Sequence, residues 1–361
     1  MNEAIRGGIL QVHRWSGLTV GLLLIFLAVT GLGLVFRPQL EPIVERRMLQ
    51  AATCEARAPV DTVVARAMAA HPGPPIEEVE MLASPRASIV VRFDDRYDVF
   101  VDPCAASVVA GRSHWGGVFG TLEQLHRFRF LSSWTGDVIG GTAAAFLLVV
   151  FVAGGLTIWW PASRRALKSA FKLKWRLKGR AFELNLHRTT GIYVCVVLLA
   201  VASSALPLAF KPVRNAIFSA VGSPMPAPKP AGTKIGAGTQ PASMEGIVEL
   251  AKALVPGAAD IVLTPPRKDG DAVEVFMVAP DAPHANARSY AWFDAATGKL
   301  LRFEPYASSS TGNKVHRFLS ALHMGYIGGA LGQMVLFLGV LGIPVLGYTG
   351  IASYLRGRRA R

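Results

Sequence analysis

Histidine is the residue type whose spacing in this chain invites chemistry. There are eight, and two stand in copies of one motif. Val12-His13-Arg14-Trp15-Ser16-Gly17 opens an uncharged apolar run that ends at Phe36-Arg37-Pro38. Leu186-His187-Arg188-Thr189-Thr190-Gly191 opens another, ending at Phe210-Lys211-Pro212. His, Arg, Gly, Phe and the basic-Pro pair all recur, ungapped, at an offset of 174 residues. His126, His316 and His323 lie where two further apolar runs approach the opposite end. An ionisable side chain at bilayer depth is costly and marks function by default. Imidazoles on facing helices are the ligands of a bis-histidine haem. Gly17 and Gly191 each follow a histidine by four residues, on the same helix face, where a porphyrin lying against the helix needs room. Arg14, Arg127, Arg188 and Arg317 each follow a histidine. Guanidinium suits a haem propionate, and it equally suits a snorkelling place at the interface. His71, His114 and His284 read as surface residues, His71 and His284 in Pro-flanked loops.

The elements that must hold these residues are membrane helices. About half of the 361 residues are apolar, 17% are charged and the mean hydropathy is +0.36. The runs Gly17–Phe36, Val138–Trp160, Thr189–Phe210 and Met324–Leu355 each reach the ~20 residues that a spanning helix needs. Pro344 is placed to kink the last. The first has no small-residue cleavage site after it and reads as a retained helix. The net charge of +14 is concentrated: nine basic residues and one acid lie between Ala162 and Arg188, and Arg356, Arg358, Arg359 and Arg361 close the chain. Such loops stay cytoplasmic, which places both termini inside and the intervening regions outside. It also argues for a lipid bilayer and against nucleic acid as the partner of this charge.

The outside regions repeat a plan. Asp61–Ala70 is helical, and Glu78–Ala83, Ala87–Phe93 and Tyr97–Asp102 alternate as strands, with turns at Ser84-Pro85 and Asp94-Asp95. In the second region Ser243 caps a helix over Met244–Leu254, followed by strands at Ile261–Thr264, Val273–Ala279 and Ser289–Phe293. Asp294 to Leu301 is a strand–turn–strand. Its counterpart, Asp102 to Val109, departs from it with Pro103-Cys104 after the Asp and Ser107 in the place of Gly298. Pro224 to Pro241 is a linker. Cys54 and Cys104 both fall outside, where an oxidising compartment favours a disulfide; Cys195 lies in the third run. The expected fold is an all-α four-helix transmembrane bundle with two small periplasmic α+β modules, in duplicated halves. Its parts are helix 1 (1–37), module 1 (38–133), helix 2 (134–161), a basic loop (162–186), helix 3 (187–211), module 2 (212–315) and helix 4 with a basic tail (316–361).

The repeated His-Arg-x-x-Gly, the closing Asp turns and Leu322-His323-Met324-Gly325 resemble the PepSY-associated transmembrane proteins, over nearly the whole chain. Many of these are called iron-regulated membrane proteins, and some are ferric-siderophore reductases of the bacterial inner membrane. The resemblance implies PepSY-like outside modules and a ferric siderophore as electron acceptor in the periplasm. Two b-type haems are then expected at opposite ends of the helices: one on His13 and His187, the other on His126 and either His323 or His316. His323 carries the family-like Leu-His-x-Gly and lies closer to the membrane; His316 copies the His-Arg-Phe of His126. No catalytic triad, paired carboxylates or Gly-rich nucleotide loop is visible, so the cytoplasmic electron donor is a separate molecule, a quinol or a reductase. Two other readings stay open: a non-enzymatic membrane protein whose modules bind a periplasmic partner, and a haem subunit serving another acceptor.

Overall fold

A computed structural model describes residues 3–359 apart from 52, 55, 83, 85, 162 and 236–239. Ala83 and Pro85 of the expected strand and turn, the loop start at Ala162, part of the linker and the final Arg361 lie outside the described residues. The first half runs α1 (Glu3–Leu18), α2 (Val20–Val35), α3 (Arg37–Val44), α4 (Arg46–Leu49), α5 (Val60–Ala70), β1 (Ile76–Met81), β2 (Ile89–Phe93), β3 (Tyr97–Val101), β4 (Val108–Ser113), α6 (Gly117–His126), α7 (Ser133–Phe146), a π-helical segment (Leu147–Ala153) and α8 (Gly154–Trp159). The second runs α9 (Arg164–Ala170), α10 (Gly179–Ala209), α11 (Lys211–Ala220), α12 (Met244–Leu254), β5 (Ile261–Thr264), β6 (Val273–Val278), β7 (Arg288–Phe293), β8 (Leu300–Glu304), α13 (Thr311–His323) and α14 (Gly329–Arg359). These fall into a helical unit (Met1–Phe36, Leu122–Ile217, Leu319–Arg361) and a sheet unit (Arg37–Thr121, Phe218–Phe318).

The expected all-α four-helix bundle with two separate modules is not what the chain forms. Among the described residues three helices are long and apolar enough to cross a membrane: Ser133–Trp159, α10 and α14. The first apolar run is a broken pair, α1 and α2, bent by 55°. The last run was expected to be helical from Met324, but α14 begins only at Gly329. Gly325, Gly328 and Gly329 take φ of +77°, +76° and +58°, a left-handed backbone open to glycine without steric cost. In consequence His323 is not on a spanning helix, and His126, set off from α7 by Phe128 at φ +51°, is not on one either. Each is the last residue of a short helix, α6 or α13. Within the unit, Leu24, Ala28, Ala143, Leu147, Leu198, Ala202, Val340 and Ile343 form one apolar core. Gly339 and Gly342 bring α14 onto Val197 and Val194 of α10, so closely that an added Cβ would collide with either side chain.

The two modules are one eight-stranded antiparallel sheet, in the order β4-β3-β2-β1-β5-β6-β7-β8. They join where Val79, Glu80 and Met81 of β1 face Leu263, Val262 and Ile261 of β5. One face packs on α5 and α12 around Val63, Val79, Val91, Phe93, Ile247, Leu263, Val275 and Phe293, all at most 2% exposed. The two helices cap each other. Asp61 accepts from Ser243 Oγ and from the N–H groups of Met244 and Glu245, while Glu245 accepts from Val60 N at 2.6 Å. The opposite face is polar: Arg92 meets Glu78, Glu80 (3.2 Å) and Asp98 (2.9 Å), and Arg288 and Arg302 lie over Phe276 and Trp292 at 4.1 and 4.3 Å. Burial and the neighbouring Asp98 carboxylate push the Glu80 carboxyl up to about 7.

The closing turns are alike. Asp294 accepts from Thr233, Ala296 and Thr297, and those bonds, with Thr233 foremost, hold its pKa far below the usual carboxylate range. Asp102 accepts from Cys104 and Ala105. The residue in the place of Gly298 is Ala106, not Ser107: Ala106 N bonds Asp102 O as Gly298 N bonds Asp294 O. Ala106 takes φ +50°, which costs about 1–2 kcal/mol for a residue with a Cβ. Cys54 and Cys104 are bridged, with Cα atoms 5.8 Å apart and a separation of 50 positions in sequence. In the chain-entropy account a loop of that length contributes about 4 kcal/mol. Cys54→Ser should therefore lower the sheet unit's unfolding temperature by several degrees, read by thermal unfolding of the detergent-solubilised protein. A midpoint equal to the parent's would refute a stabilising bridge.

Candidate functional site

The helical unit brings the membrane-boundary histidines together in two pairs. His13, in the penultimate turn of α1, lies beside His187 near the start of the α10 span, ring centroids 6.2 Å apart. His126 and His323 lie with centroids 6.5 Å apart. The acceptors of His187 and His323, described below, show that the pairs are at separate levels: His187 and Val201 are both on α10, fourteen residues apart, or roughly 20 Å of helix. The ring facing His126 is thus that of His323. His316 stands on α13 seven residues earlier, in the sheet unit.

Every one of these four imidazoles is oriented the same way. His13 Nδ1 is 3.1 Å from Val150 O, His187 Nδ1 is 3.1 Å from Leu346 O, His126 Nδ1 is 3.0 Å from Leu27 O, and His323 Nδ1 is 3.3 Å from Val201 O. A carbonyl only accepts, so Nδ1 carries the hydrogen and Nε2 keeps its lone pair. The rings also rest on small residues. Cβ atoms built at Gly31, Gly155 and Gly350 would be 3.0, 3.4 and 3.6 Å from the Cε1 of His126, His13 and His187.

The acceptors follow the duplication. Leu27, Thr30 and Gly31 of α2 correspond to Val201, Ser204 and Ala205 of α10 at the same offset of 174. On α14 the set is Leu346, Thr349 and Gly350. In the first half it is Val150 and Gly155, one residue further apart, because the π-helical segment inserts a residue between carbonyl and glycine. Sequence reasoning missed this supporting layer. Its signal was present as Thr30-Gly31 and Ser204-Ala205, small and hydroxylated positions inside repeated apolar runs.

The donor set suits a bis-histidine haem. With a metal–imidazole bond of about 2 Å and roughly 1.1 Å from nitrogen to ring centre, two imidazoles on opposite sides of one metal have centroids about 6.3 Å apart, against 6.2 and 6.5 Å here. A ligating histidine donates its other N–H to a carbonyl or carboxylate, which fixes the tautomer, as all four do. Gly17 and Gly191 are open on the protein side: added Cβ atoms would meet only Phe151 and Leu346, at 3.8 and 3.7 Å.

The arginines divide. Arg14 lies over Tyr354 at 4.8 Å, and Arg188 is exposed. Arg127 is paired with Glu123, and Arg317 donates to Tyr290 Oη at 2.5 Å. The other histidines are less superficial than expected. His71 stacks on Tyr97 and bonds Asp95. His114 bonds Asp98 at 3.0 Å. His284 is 7% exposed beside Tyr306, and burial lowers its pKa.

Three apolar spans, a bent fourth run and paired histidines at two levels define a membrane protein. The chain belongs to the PepSY-associated TM region family, whose sequence model matches residues 10–356, as the repeated His-Arg-x-x-Gly and Leu322-His323-Met324-Gly325 suggested. No curated protein matches the chain.

Proposed function

We propose that this protein is a di-haem b-type electron carrier of the bacterial inner membrane that reduces a ferric siderophore on the periplasmic side, releasing Fe(II). The observation that carries the reading is the pairing itself: two imidazole pairs with ring centroids 6.2 and 6.5 Å apart, each ring with Nδ1–H bonded to a helix carbonyl, which would hold a haem iron. Haem iron supplies one-electron chemistry between its ferric and ferrous states. The protein's own residues hold the ligating nitrogens, exclude water with the apolar core around Leu198 and Ala202, and set two levels along α10. The basic flanks support a cytoplasmic position for the His13–His187 level, with a quinol or a reductase as the proposed donor, and a periplasmic one for the His126–His323 level. A hydroxamate or catecholate chelator holds Fe(III) far better than Fe(II), so one electron loosens the metal without acid–base residues.

Protein purified from haem-replete cells should be red, with a b-type reduced-minus-oxidised spectrum. After dithionite reduction, a ferric siderophore should reoxidise it. Colourless protein sinks the haem assignment; red protein that no ferric siderophore reoxidises sinks the choice of acceptor.

A further inference from the structure

The carbonyl at each histidine is only half of its surroundings. Thr30 Oγ1 is 3.1 Å from His126 Nδ1, Thr349 Oγ1 is 3.1 Å from His187 Nδ1, and Ser204 Oγ is 3.4 Å from His323 Nδ1. Each hydroxyl comes three residues after the carbonyl that takes the same nitrogen. The hydroxyl hydrogens are already placed: Thr30 donates to Phe26 O at 2.9 Å, Thr349 to Val345 O at 2.8 Å and Ser204 to Val201 O at 3.0 Å. With Nδ1 bearing a hydrogen and the hydroxyl hydrogen spent on the helix, the remaining contact has one polarity, from Nδ1–H to the hydroxyl oxygen. All three hydroxyls are at most 5% exposed, so no water competes for them.

We propose that Thr30, Thr349 and Ser204 are positioning residues: each accepts a second bond from the Nδ1–H that its carbonyl already holds, fixing that ring's plane and its Nε2-ligating tautomer. This rests on the di-haem reading. The competing account is that these hydroxyls only bond back to their own helix, as Ser and Thr in apolar helices do. Ser203 is that case, donating to Leu199 O at 2.7 Å and facing solvent or lipid. The position three residues after an imidazole-bonded carbonyl separates the two groups. His13 is the exception: the residue three after Val150 is Ala153, which has no hydroxyl, and among the described residues His13 keeps its carbonyl alone.

An acceptor on Nδ1–H makes an imidazole a stronger donor to the metal and favours the ferric state, so removing it favours the ferrous one. The test is a potentiometric titration with electron paramagnetic resonance of the oxidised protein, for Thr30→Val, Ser204→Ala and Thr349→Val. The haems are assigned by the component missing in His323→Ala or His187→Ala. Thr30→Val and Ser204→Ala should move only the outer haem toward the ferrous state and Thr349→Val only the inner one, each by up to about tenfold in the one-electron equilibrium, or about 60 mV. Thr30→Ser should restore the parent values, and Ser203→Ala should change neither haem. Ser204→Ala removes a single oxygen atom and keeps the test open if a valine variant fails to insert. Haem-replete variants with the parent's potentials and resonance would overturn the positioning role and leave the di-haem reading standing. A parent protein without haem would overturn both.

Discussion

On the di-haem reading, replacing His187 with alanine should remove one of two b-type components from the reduced-minus-oxidised spectrum and leave the other. The reason is local. His187 shares its level with His13, at 6.2 Å, while His323 bonds Val201 O, fourteen residues further along α10, and its neighbour His126 bonds Leu27 O of α2, neither of which the substitution touches. His13→Ala should remove the same component, and His126→Ala or His323→Ala the second. Because a proposed ligand would be lost outright, the effect should exceed the 10- to 100-fold typical of a supporting residue. His316→Ala and His71→Ala should keep both components. Loss of both components in every variant would mean that the levels are not separate, and loss of one in His316→Ala would return that residue to the ligand set.

Gly31→Leu should abolish the outer component alone. A Cβ at Gly31 comes within 3.0 Å of His126 Cε1 and 3.4 Å of its Nδ1, so the ring must give way by a few tenths of an ångström for the Cβ alone and further for the rest of a leucine, which strains its bond to Leu27 O. Overpacking of this kind costs about 1–3 kcal/mol, and a tilt of the imidazole that relieves it weakens that bond. Gly17→Leu and Gly191→Leu make an instructive contrast. The protein's own atoms leave those positions in ordinary contact at 3.8 and 3.7 Å, so loss of the inner component there would report on the space a porphyrin takes. An intact outer component in Gly31→Leu, measured in protein shown to insert, would refute the packing argument.

The inner pair was legible because the duplication is ungapped: His13, Gly17, His187 and Gly191 fall at one offset, and a periodic helix puts them on one face. The outer pair was harder to read. His126-Arg127-Phe128 is copied at His316-Arg317-Phe318, but that copy lies in the sheet unit, and the residue that pairs with His126 is seven further on. What displaces it is backbone: Phe128 at φ +51° and Gly325 at +77° end the short helices before the spans begin. The break at Gly325 falls inside the apolar run that opens at Met324, which reads as continuous helix; the one at Phe128 lies before the second run begins. The strands were legible from alternation, and α12 from Ser243. The joining of β1 to β5 was not, because alternation fixes which face a side chain takes and is silent on which strand lies alongside. The carbonyl and hydroxyl acceptors stayed hidden for a related reason. Backbone oxygens have no sequence signature, and Thr30, Ser204 and Thr349 look like ordinary small residues in apolar helices.

The β1–β5 seam also bears on how such a chain could have arisen. Each half taken alone would end its sheet on a bare strand, a row of unpaired N–H and C=O groups that recruits another edge. Because β1 and β5 are equivalent strands meeting antiparallel, and Asp61 and Glu245 cap each other's helices across the same seam, two copies of one half could close the sheet between them. The duplicated chain has the form of such a dimer with its partners joined end to end. The two halves differ in detail: one copy of the closing turn has Gly298 and the other Ala106 beside a disulfide, and the π-helical segment sets Val150 and Gly155 one residue further apart than Leu346 and Gly350.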